Sequence, residues 1–442
     1  MDPIILLQLK DSWLKKRSEL SKRRPPRRYL HFDRPISSLT TPVFKKITNP
    51  NFIEHHSFYP LISVPKNVRL YRKDAKTGLK RIEWKRRPIS YSSHFDSLIY
   101  SWYSHLIEHE YENRLKHFGL DESVIAYRRL GKSNVDFAAE VFKFVSEQPN
   151  CATLALDIKG FYDTLDFTHL KKAWKSNFNF KNLPADHYKV FKSVTNFSYV
   201  RFREIGKLLK LNSNYKHSTF FFDVDLLGAL REGNKIKTNL VRGIPQGIPI
   251  SCVLSNLYML EFDIVLNEKI KAIGGLYRRY SDDILIVCPM ERLDEVKDFV
   301  EAEIPKLKLE IQNSKTEIRF FNKMNGQTIL NEKGQRSKLQ YLGIEFDGKK
   351  TLIRHKSYAR FESRMKKAII RKKFVTEKFK VPFFKRQIYE SFSPLGKRNY
   401  ISYAIGAAEK LKTMSSDGIL EQVNAGRILN KINKKIKKHL KK

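Results

Sequence analysis

The stretch LYRRYSDDILIV, residues 276–287, sets two adjacent aspartates, Asp282 and Asp283, between two runs rich in β-formers. Two carboxylates side by side at a hairpin tip repel each other, and the strands beside them limit the water that would screen the charge. A divalent cation is the natural compensation. A second apolar stretch, LALDIKGFYDTL over residues 154–165, ends a strand at Asp157 and passes through Lys159 and Gly160 into a helical pattern. Three carboxylates on two strand ends point to a magnesium site of the nucleotidyl-transfer kind. A third element, NLVRGIPQGIPISCVLSNL over residues 239–257, brackets Pro245 and Gln246 between Gly243 and Gly247. Such a loop lets its backbone approach a flat ligand closely, Gln246 offers a neutral amide at its rim, and a helical stretch follows from Ser251.

These residues need elements to hold them. Two β-rich basic strips, VRLYRK and KRIEWKRRPIS, lie between Ile62 and Ser90 and are separated by the turn-forming DAKTG, so they read as a basic hairpin able to grasp phosphate. Residues 95–115 and 134–145 carry apolar side chains at helical spacing and would back that hairpin. A strand over 152–157 then opens a carboxylate-bearing core that runs to about residue 350, while residues 175–240 are rich in aromatics but show no readable pattern. Residues 10–28 read as a basic helical arm stopped by Pro25 and Pro26. From Tyr358 onward the chain is helical in pattern and basic, and Ile428, Ile432, Ile436 and Leu440 recur every fourth residue among lysines. That last helix has two readings: a terminal helix docked by its apolar stripe, or one that tracks a nucleic-acid backbone.

Composition narrows the partner. The 442 residues carry 85 Lys+Arg against 46 Asp+Glu, a formal net charge of +39, which is far more than solubility requires and favours a polyanion, nucleic acid ahead of a membrane surface. Cys151, Cys252 and Cys288 sit in apolar sequence with no CxxC pair, so neither a disulfide framework nor a zinc ribbon is written here and a reducing cytoplasm is expected. The N-terminal PIILLQL is too short for a secretory core, and no stretch approaches the ~18 apolar residues of a membrane span. The expectation is a soluble, cytoplasmic protein with no membrane partner.

The order of the motifs, a strand with Asp157, a PQG loop before a helix, and a hairpin with SDD, resembles the palm of reverse transcriptases. YSDD is similar to that family's YxDD signature and RGIPQGIPIS to its dNTP-pocket loop. AYRRLGKS (126–133) looks like the second fingers motif, QNSKTEI (312–318) like the lysine-bearing fourth palm motif, and YLGIEFDG (341–348) like the primer-grip strand pair. The resemblance covers about residues 60–350. AYRRLGKSNVDFA, KRRPISYSSHFDSLIY, YLHFD and SFSPLGKRNYISYA look most like the unknown-group and abortive-infection-like bacterial enzymes of antiphage defence, with retron and group II intron enzymes more distant.

What this resemblance implies is an α+β right-hand polymerase: a basic extension over 1–50, fingers over 51–150, a ferredoxin-like palm (antiparallel sheet plus helices) over 151–350 with an insertion at about 175–240, and a basic α-helical thumb over 351–442. It implies RNA-directed DNA polymerase activity with two Mg2+ ions, an RNA template, presumed to be a dedicated non-coding RNA, dNTPs and a DNA product. Asp157 and Asp282 would bridge the ions, Asp283 would support them, and the backbone carbonyl of Ile158 would also reach a metal. Tyr162, five residues after Asp157, resembles the family's steric gate against a ribose 2′-OH. Gln246 would contact the incoming nucleotide, Lys315 would protonate or neutralise the leaving pyrophosphate, and Arg81 and Arg87 would fork the triphosphate, with Arg72 as the alternative to either.

Plainer readings stand beside these. A lone DD is usually a solvated turn, Tyr162 and Phe161 can be core aromatics, and Asp163 and Asp166 fit helix starts, where negative charge is favourable. Arg128 and Arg129 either bind template backbone or cap the fingers surface. His105, Glu108 and His109 match HxxEH, a zinc-hydrolase pattern, but their helix is packed with Trp102, Tyr103 and Leu106 and no third ligand is signalled. Two other functions share these features: a template-independent or protein-primed nucleotidyl transferase on the same palm, and a non-catalytic RNA-binding scaffold, against which the intact carboxylate set argues.

Overall fold

The two basic strips pair as a hairpin. In the computed structural model, which describes residues 2–23, 29–36, 38–73, 78–210, 224–324, 326–414 and 416–440, β1 (Leu61–Lys73) and β2 (Lys80–Tyr91) run antiparallel in unbroken register from Ile62↔Tyr91 to Lys73↔Lys80. Most of the DAKTG turn falls on residues 74–77, outside the described residues. Two strands from the stretch that showed no pattern widen this hairpin. β4 (Ser198–Arg201) lies parallel to β1, and β5 (Lys237–Thr238) lies antiparallel to β4, giving the order β2-β1-β4-β5. One face of the sheet is core, where Ile62 and Val200 are buried with Leu30, Phe32, Ile205, Leu226, Leu227 and Leu230.

This sheet belongs to a unit built from Met1–Tyr127, Ile158–Val265 and Glu301–Gln312. Its central helix, His94–His117, buries Tyr100, Trp102, Tyr103, Ile107 and Tyr111 among others. The N-terminal helix, Pro3–Arg23, is packed rather than free, which corrects the expectation of an arm. Its basic side chains hide an i, i+4 apolar pair, Leu9 and Trp13. Trp13 is fully buried, 5.7 Å from the Trp102 ring, and its indole N–H donates to Ser101 Oγ at 3.2 Å. Pro25 and Pro26 lie outside the described residues.

The second unit comprises Arg128–Asp157, Leu266–Val300 and Asn313–Lys442. Its main sheet has five antiparallel strands: β3 (Asn150–Asp157), β6 (Leu276–Tyr280), β7 (Asp283–Cys288), β8 (Glu317–Asn322) and β9 (Thr328–Asn331), in the order β6-β7-β3-β8-β9. A smaller antiparallel sheet holds β10 (Leu339–Tyr341), β11 (Ile344–Phe346) and β12 (Thr351–Ile353), so YLGIEFDG does form a strand pair. The helix Asn134–Glu147 packs on it, with Phe142 stacked 5.2 Å from Phe346. Beyond β12 the chain is helical, and the final helix, Ala425–Leu440, buries Ile428, Ile432 and Ile436 against the helices His355–Phe379 and Lys385–Phe392. The apolar stripe docks, Lys431 pairs with Glu362 of the helix His355–Phe379, and Lys434, Lys437 and Lys438 stay exposed. The Leu440 side chain lies outside the described residues. Helices are interspersed with strands along the chain, and the five-stranded and three-stranded sheets are wholly antiparallel, an α+β fold.

Candidate active site

β3 is the middle strand of five, which is why CATLALD is apolar on both faces: Cys151, Ala152, Thr153 and Leu154 are all buried. Its register across to β7 pairs Asp157 with Asp283, and directly opposed residues of antiparallel strands share a face. β7 therefore begins where β3 ends, and both carboxylates stand at one end of the sheet. β6 and β7 join through two residues, Ser281 and Asp282, between the paired Tyr280 and Asp283. Ser281 has φ +62°, the sign that the first central residue of such a hairpin turn needs to match strand twist. A non-glycine residue held there costs about 1–3 kcal/mol, so the neighbourhood must enforce it. Arg279, fully buried in β6, does so in part: its Nη1 donates to the Ser281 carbonyl at 3.1 Å.

On the other side of β3, the short turn Asn313–Lys315 leads into β8 and brings Lys315 to the same sheet end, with Nζ 2.5 Å from Asp157 Oδ1. Although Asp283 is exposed, protein packed around it and then the neighbouring Asp282 and Asp157 charges push its carboxyl up to about 6, against the pull of Lys315 and Arg354. Burial and Asp157 also raise Asp282, opposed by its own backbone N–H, Lys315 and Ser281. Four sequence-predicted residues, Asp157, Asp282, Asp283 and Lys315, thus converge in one unit and carry uncompensated negative charge. Among the described residues no group of three or more His, Cys, Asp or Glu side chains is arranged to enclose a metal ion.

The remaining candidates lie in the first unit. Tyr162 is held by its hydroxyl, which donates to Tyr127 Oη at 3.2 Å and accepts from Ser255 Oγ at 3.2 Å, and burial raises its phenol. The PQG loop is tied to that segment and to the hairpin: Ile244 N–H donates to the Tyr162 carbonyl, Gly243 N–H to that of Leu165, and Ser90 N–H to that of Gln246, each at 2.8 Å. Glycine is required twice. A Cβ on Gly243 (φ +85°) would lie 2.7 Å from the Asp163 carbonyl, and one on Gly247 (φ +116°) 2.5 Å from the Ser90 oxygen. Ile158 is buried and bridges Ile311, with Lys159 N–H donating to the Glu310 carbonyl at 2.8 Å. Arg87 is exposed in β2 opposite Lys66; Arg81 lies opposite Arg72, and both of those side chains fall outside the described residues. Asp166 caps the helix Phe167–Asn177 by accepting from His169 N–H at 2.9 Å, the helix-start role expected of it. His105 bonds Ser12 and Glu108 pairs with Lys16, ordinary helix–helix contacts.

The reverse transcriptase (RNA-dependent DNA polymerase) family matches residues 97–346, more than half of the 442. The chain belongs to this family. The match contains Asp157, Ile158, Tyr162, Gln246, Asp282, Asp283 and Lys315, and begins after Arg81 and Arg87. Among solved structures, telomerase from Candida tropicalis truncated from its C-terminal domain aligns at 11% identity over 65% of this chain and 53% of that one, TM-score 0.40. Candida albicans telomerase in complex with a TWJ fragment of telomeric RNA aligns at 14% identity over 88% and 63%, TM-score 0.40, and apo Candida tropicalis telomerase at 14% over 100% and 64%, TM-score 0.38. The chain thus spans between half and two thirds of the length of these proteins. No curated protein matches it in sequence.

Two residues of this chain escaped the sequence reading. Arg278 and Arg279 are both buried in β6, Arg278 with its guanidinium 3.8 Å from Glu140 and donating to the Tyr277 carbonyl at 3.1 Å. A buried guanidinium is costly unless paired, so two in one strand mark a network that fixes the aspartate hairpin. The signal was present in LYRRY: charge doubled inside a strand otherwise built for the core.

Proposed function

We propose that the protein is an RNA-directed DNA polymerase that extends a primer 3′-OH with dNTPs. The observation that carries this reading is the Asp157↔Asp283 register, which sets two carboxylates with Asp282 and Lys315 at one sheet end of a chain belonging to the reverse transcriptase family. The site fits Mg2+. Its donors are hard carboxylate oxygens, three of them stand at a sheet end with the single ammonium of Lys315, and Mg2+ is usually held by one or two carboxylates plus substrate phosphates rather than by an all-protein cage. Asp157 and Asp282 would hold two ions, with Asp283 and the Ile158 carbonyl in support. Two Mg2+ bound there supply Lewis acidity toward the 3′-OH and the triphosphate.

The protein groups have distinct tasks. Lys315, paired with Asp157, is placed to turn to the pyrophosphate leaving group once that carboxylate is otherwise engaged. Tyr162, anchored by Tyr127 and Ser255, presents a fixed ring against a ribose 2′-OH, and Gln246 faces the incoming nucleotide from a loop locked to the Tyr162 segment. Arg81 and Arg87 would take the triphosphate. We assign fingers to residues 51–150, palm to 151–350 and thumb to 351–442, following the motif order. The resemblance to defence-associated bacterial enzymes supports a role in antiphage defence with a dedicated non-coding RNA, and the net charge of +39 suits an RNA partner. No helix among the described residues is long and apolar enough to cross a membrane.

The test is to incubate purified protein with Mg2+, dNTPs and its co-purifying RNA, and to sequence any DNA made. DNA complementary to that RNA is the expected result. DNA unrelated to any template would move the protein to untemplated or protein-primed transfer, and retained RNA without synthesis would make it a scaffold.

A further inference from the structure

The helix His355–Phe379 buries Phe361, Met365 and Ile369, one core residue per turn, and among the described residues buries none after Ile369. Its last ten residues, 370–379, therefore stand clear of the core that holds its first part. The sequence there does not turn polar to match. Ile370 and Phe374, one turn apart on the helix, Phe379 at its end, and Phe384 in the link to the helix Lys385–Phe392 are 40–61% exposed. Lys380, at φ +51°, closes the helix in the left-handed conformation, and Pro382 two residues on prevents its return. Cations surround this apolar corner. Lys378 Nζ lies 5.7 Å from the Phe374 ring centre and 5.5 Å from that of Phe379, and Lys372 Nζ lies 5.0 Å from that of Phe384. Residues 370–386 hold seven Lys and Arg against one acid, Glu377, which pairs with Lys373 at 3.3 Å.

We infer that this corner docks the protein on an anionic lipid surface, with Ile370 and the phenylalanine rings entering the boundary between headgroups and acyl chains and the lysines meeting headgroup phosphate. A layer that is apolar at one depth and negative just above it matches both parts of the corner at once. Charge disfavours a second copy of this chain, which would bring the same seven cations against these. A nucleic-acid duplex would satisfy the cations but offers little to Ile370 and three rings, and a single strand would have to stack on rings that already carry an ammonium over one face. A folded protein partner would need acids set to match these cations, whereas lipid headgroups rearrange to meet them. The corner lies beyond residue 346, where the family match ends, and the inference does not rest on the polymerase reading. The expectation of no membrane partner followed from the lack of a spanning stretch, which a surface-bound corner does not need.

The test is sedimentation of nuclease-treated full-length protein with sucrose-loaded vesicles at about 0.15 M salt, made of phosphatidylcholine alone or of a roughly 7:3 mixture of phosphatidylcholine and phosphatidylglycerol. The protein should pellet with the mixture and not with phosphatidylcholine alone. A net charge of +39 draws any variant toward an anionic surface, so a substitution that leaves charge unchanged is decisive. Phe374→Ala combined with Phe379→Ala should weaken partitioning about 10-fold or more, and Lys378→Gln about 5-fold. Phe379→Trp, which keeps an aromatic ring, should pellet as the parent does. Phosphatidylcholine brominated along its chains should quench the fluorescence of that added tryptophan and leave the four tryptophans of the parent unquenched. Both phenylalanine variants should unfold at the parental temperature and bind an RNA duplex as the parent does. Equal partitioning of the parent and the double variant, or no quenching in Phe379→Trp, overturns the proposal. A loss of RNA affinity in the double variant that matches its loss on vesicles overturns it in favour of nucleic acid, and a parent that pellets with neither vesicle overturns it in favour of a protein partner.

Discussion

Adding one methyl group at Gly247 tests how the PQG loop is held. Gly247 has φ +116°, and a Cβ there would sit 2.5 Å from the Ser90 carbonyl oxygen and 3.2 Å from Ile89 Cγ2. The 2.5 Å contact is with backbone, and β2 cannot retreat because its whole length is paired to β1. The loop must move instead, which breaks the 2.8 Å bond from the buried Ser90 N–H to the Gln246 carbonyl. Backbone strain at this φ contributes about 1–3 kcal/mol, and a buried donor left without its acceptor about 1–3 kcal/mol. Gly247→Ala should therefore destabilise the protein by about 2–6 kcal/mol.

The control is Gly131→Ala. Gly131 also has positive φ, +67°, but nothing lies within 4 Å of its added Cβ, so only the conformational penalty of about 1–2 kcal/mol remains. Urea unfolding of both variants separates strain from collision, and primer extension at varied dNTP should show KM rising for Gly247→Ala alone, since Gln246 moves with the loop. Equal destabilisation of the two variants would refute the reasoning.

Four further outcomes are expected. Asp282→Asn and Asp283→Asn should each abolish DNA synthesis in a primer-extension assay while leaving unfolding and RNA binding nearly unchanged, because an amide keeps shape but loses the charge that holds Mg2+; synthesis by both would dismiss the metal assignment. Tyr162→Ala should raise rNTP use relative to dNTP in single-turnover incorporation, and an unchanged ratio would place the gate elsewhere. Burial lowers His187 to about 4, so from pH 6.5 down toward 4 unfolding takes up a proton that the folded state refuses, and its stabilising contribution, full above 6.5, is lost as pH falls. Glu108 and Asp283 are raised and act in the opposite sense, so the readout is a difference: His187→Phe should gain on wild type by about 1.4 kcal/mol per pH unit between pH 6 and 5, and parallel curves would exclude a neutral buried imidazole. Finally, Lys434, Lys437 and Lys438 are exposed on a helix docked by its isoleucines. Replacing all three with Gln should reduce the salt dependence of RNA binding without altering thermal unfolding, whereas an unchanged slope would mean this coat does not touch RNA.

The carboxylate site was legible because its chemistry and its geometry share the same few residues. An apolar run that stops at Asp157 must be a buried strand, and LYRRYSDDILIV needs a tight turn near its aspartates, which falls on Ser281 and Asp282 with Asp283 opening β7; both strands then formed as neighbours in antiparallel register. The final helix was half legible. A stripe every fourth residue tells which face is apolar, but only the packed helices His355–Phe379 and Lys385–Phe392 decide that the stripe docks. The N-terminal helix misled for the same reason in reverse, since its lysines and arginines dominate the sequence and the two residues that anchor it, Leu9 and Trp13, are a small minority.

What stayed hidden was the widening of the hairpin. β4 is four residues and β5 two, too short for alternation to rise above chance, and each is specified by its partner: Val200 is a strand residue because Ile62 lies beside it over a shared core. A strand recruited to an existing edge needs little pattern of its own, because the edge supplies the register and half of the hydrogen bonds. The side chains on its outer face are then free of packing duty. Phe197, Tyr199 and Arg201 are accordingly of types that neither a core nor an ordinary solvated edge demands, and β4 also covers the β1 edge that would otherwise invite another chain. The stretch least readable from sequence is thus the one whose strands take their register from an edge already formed.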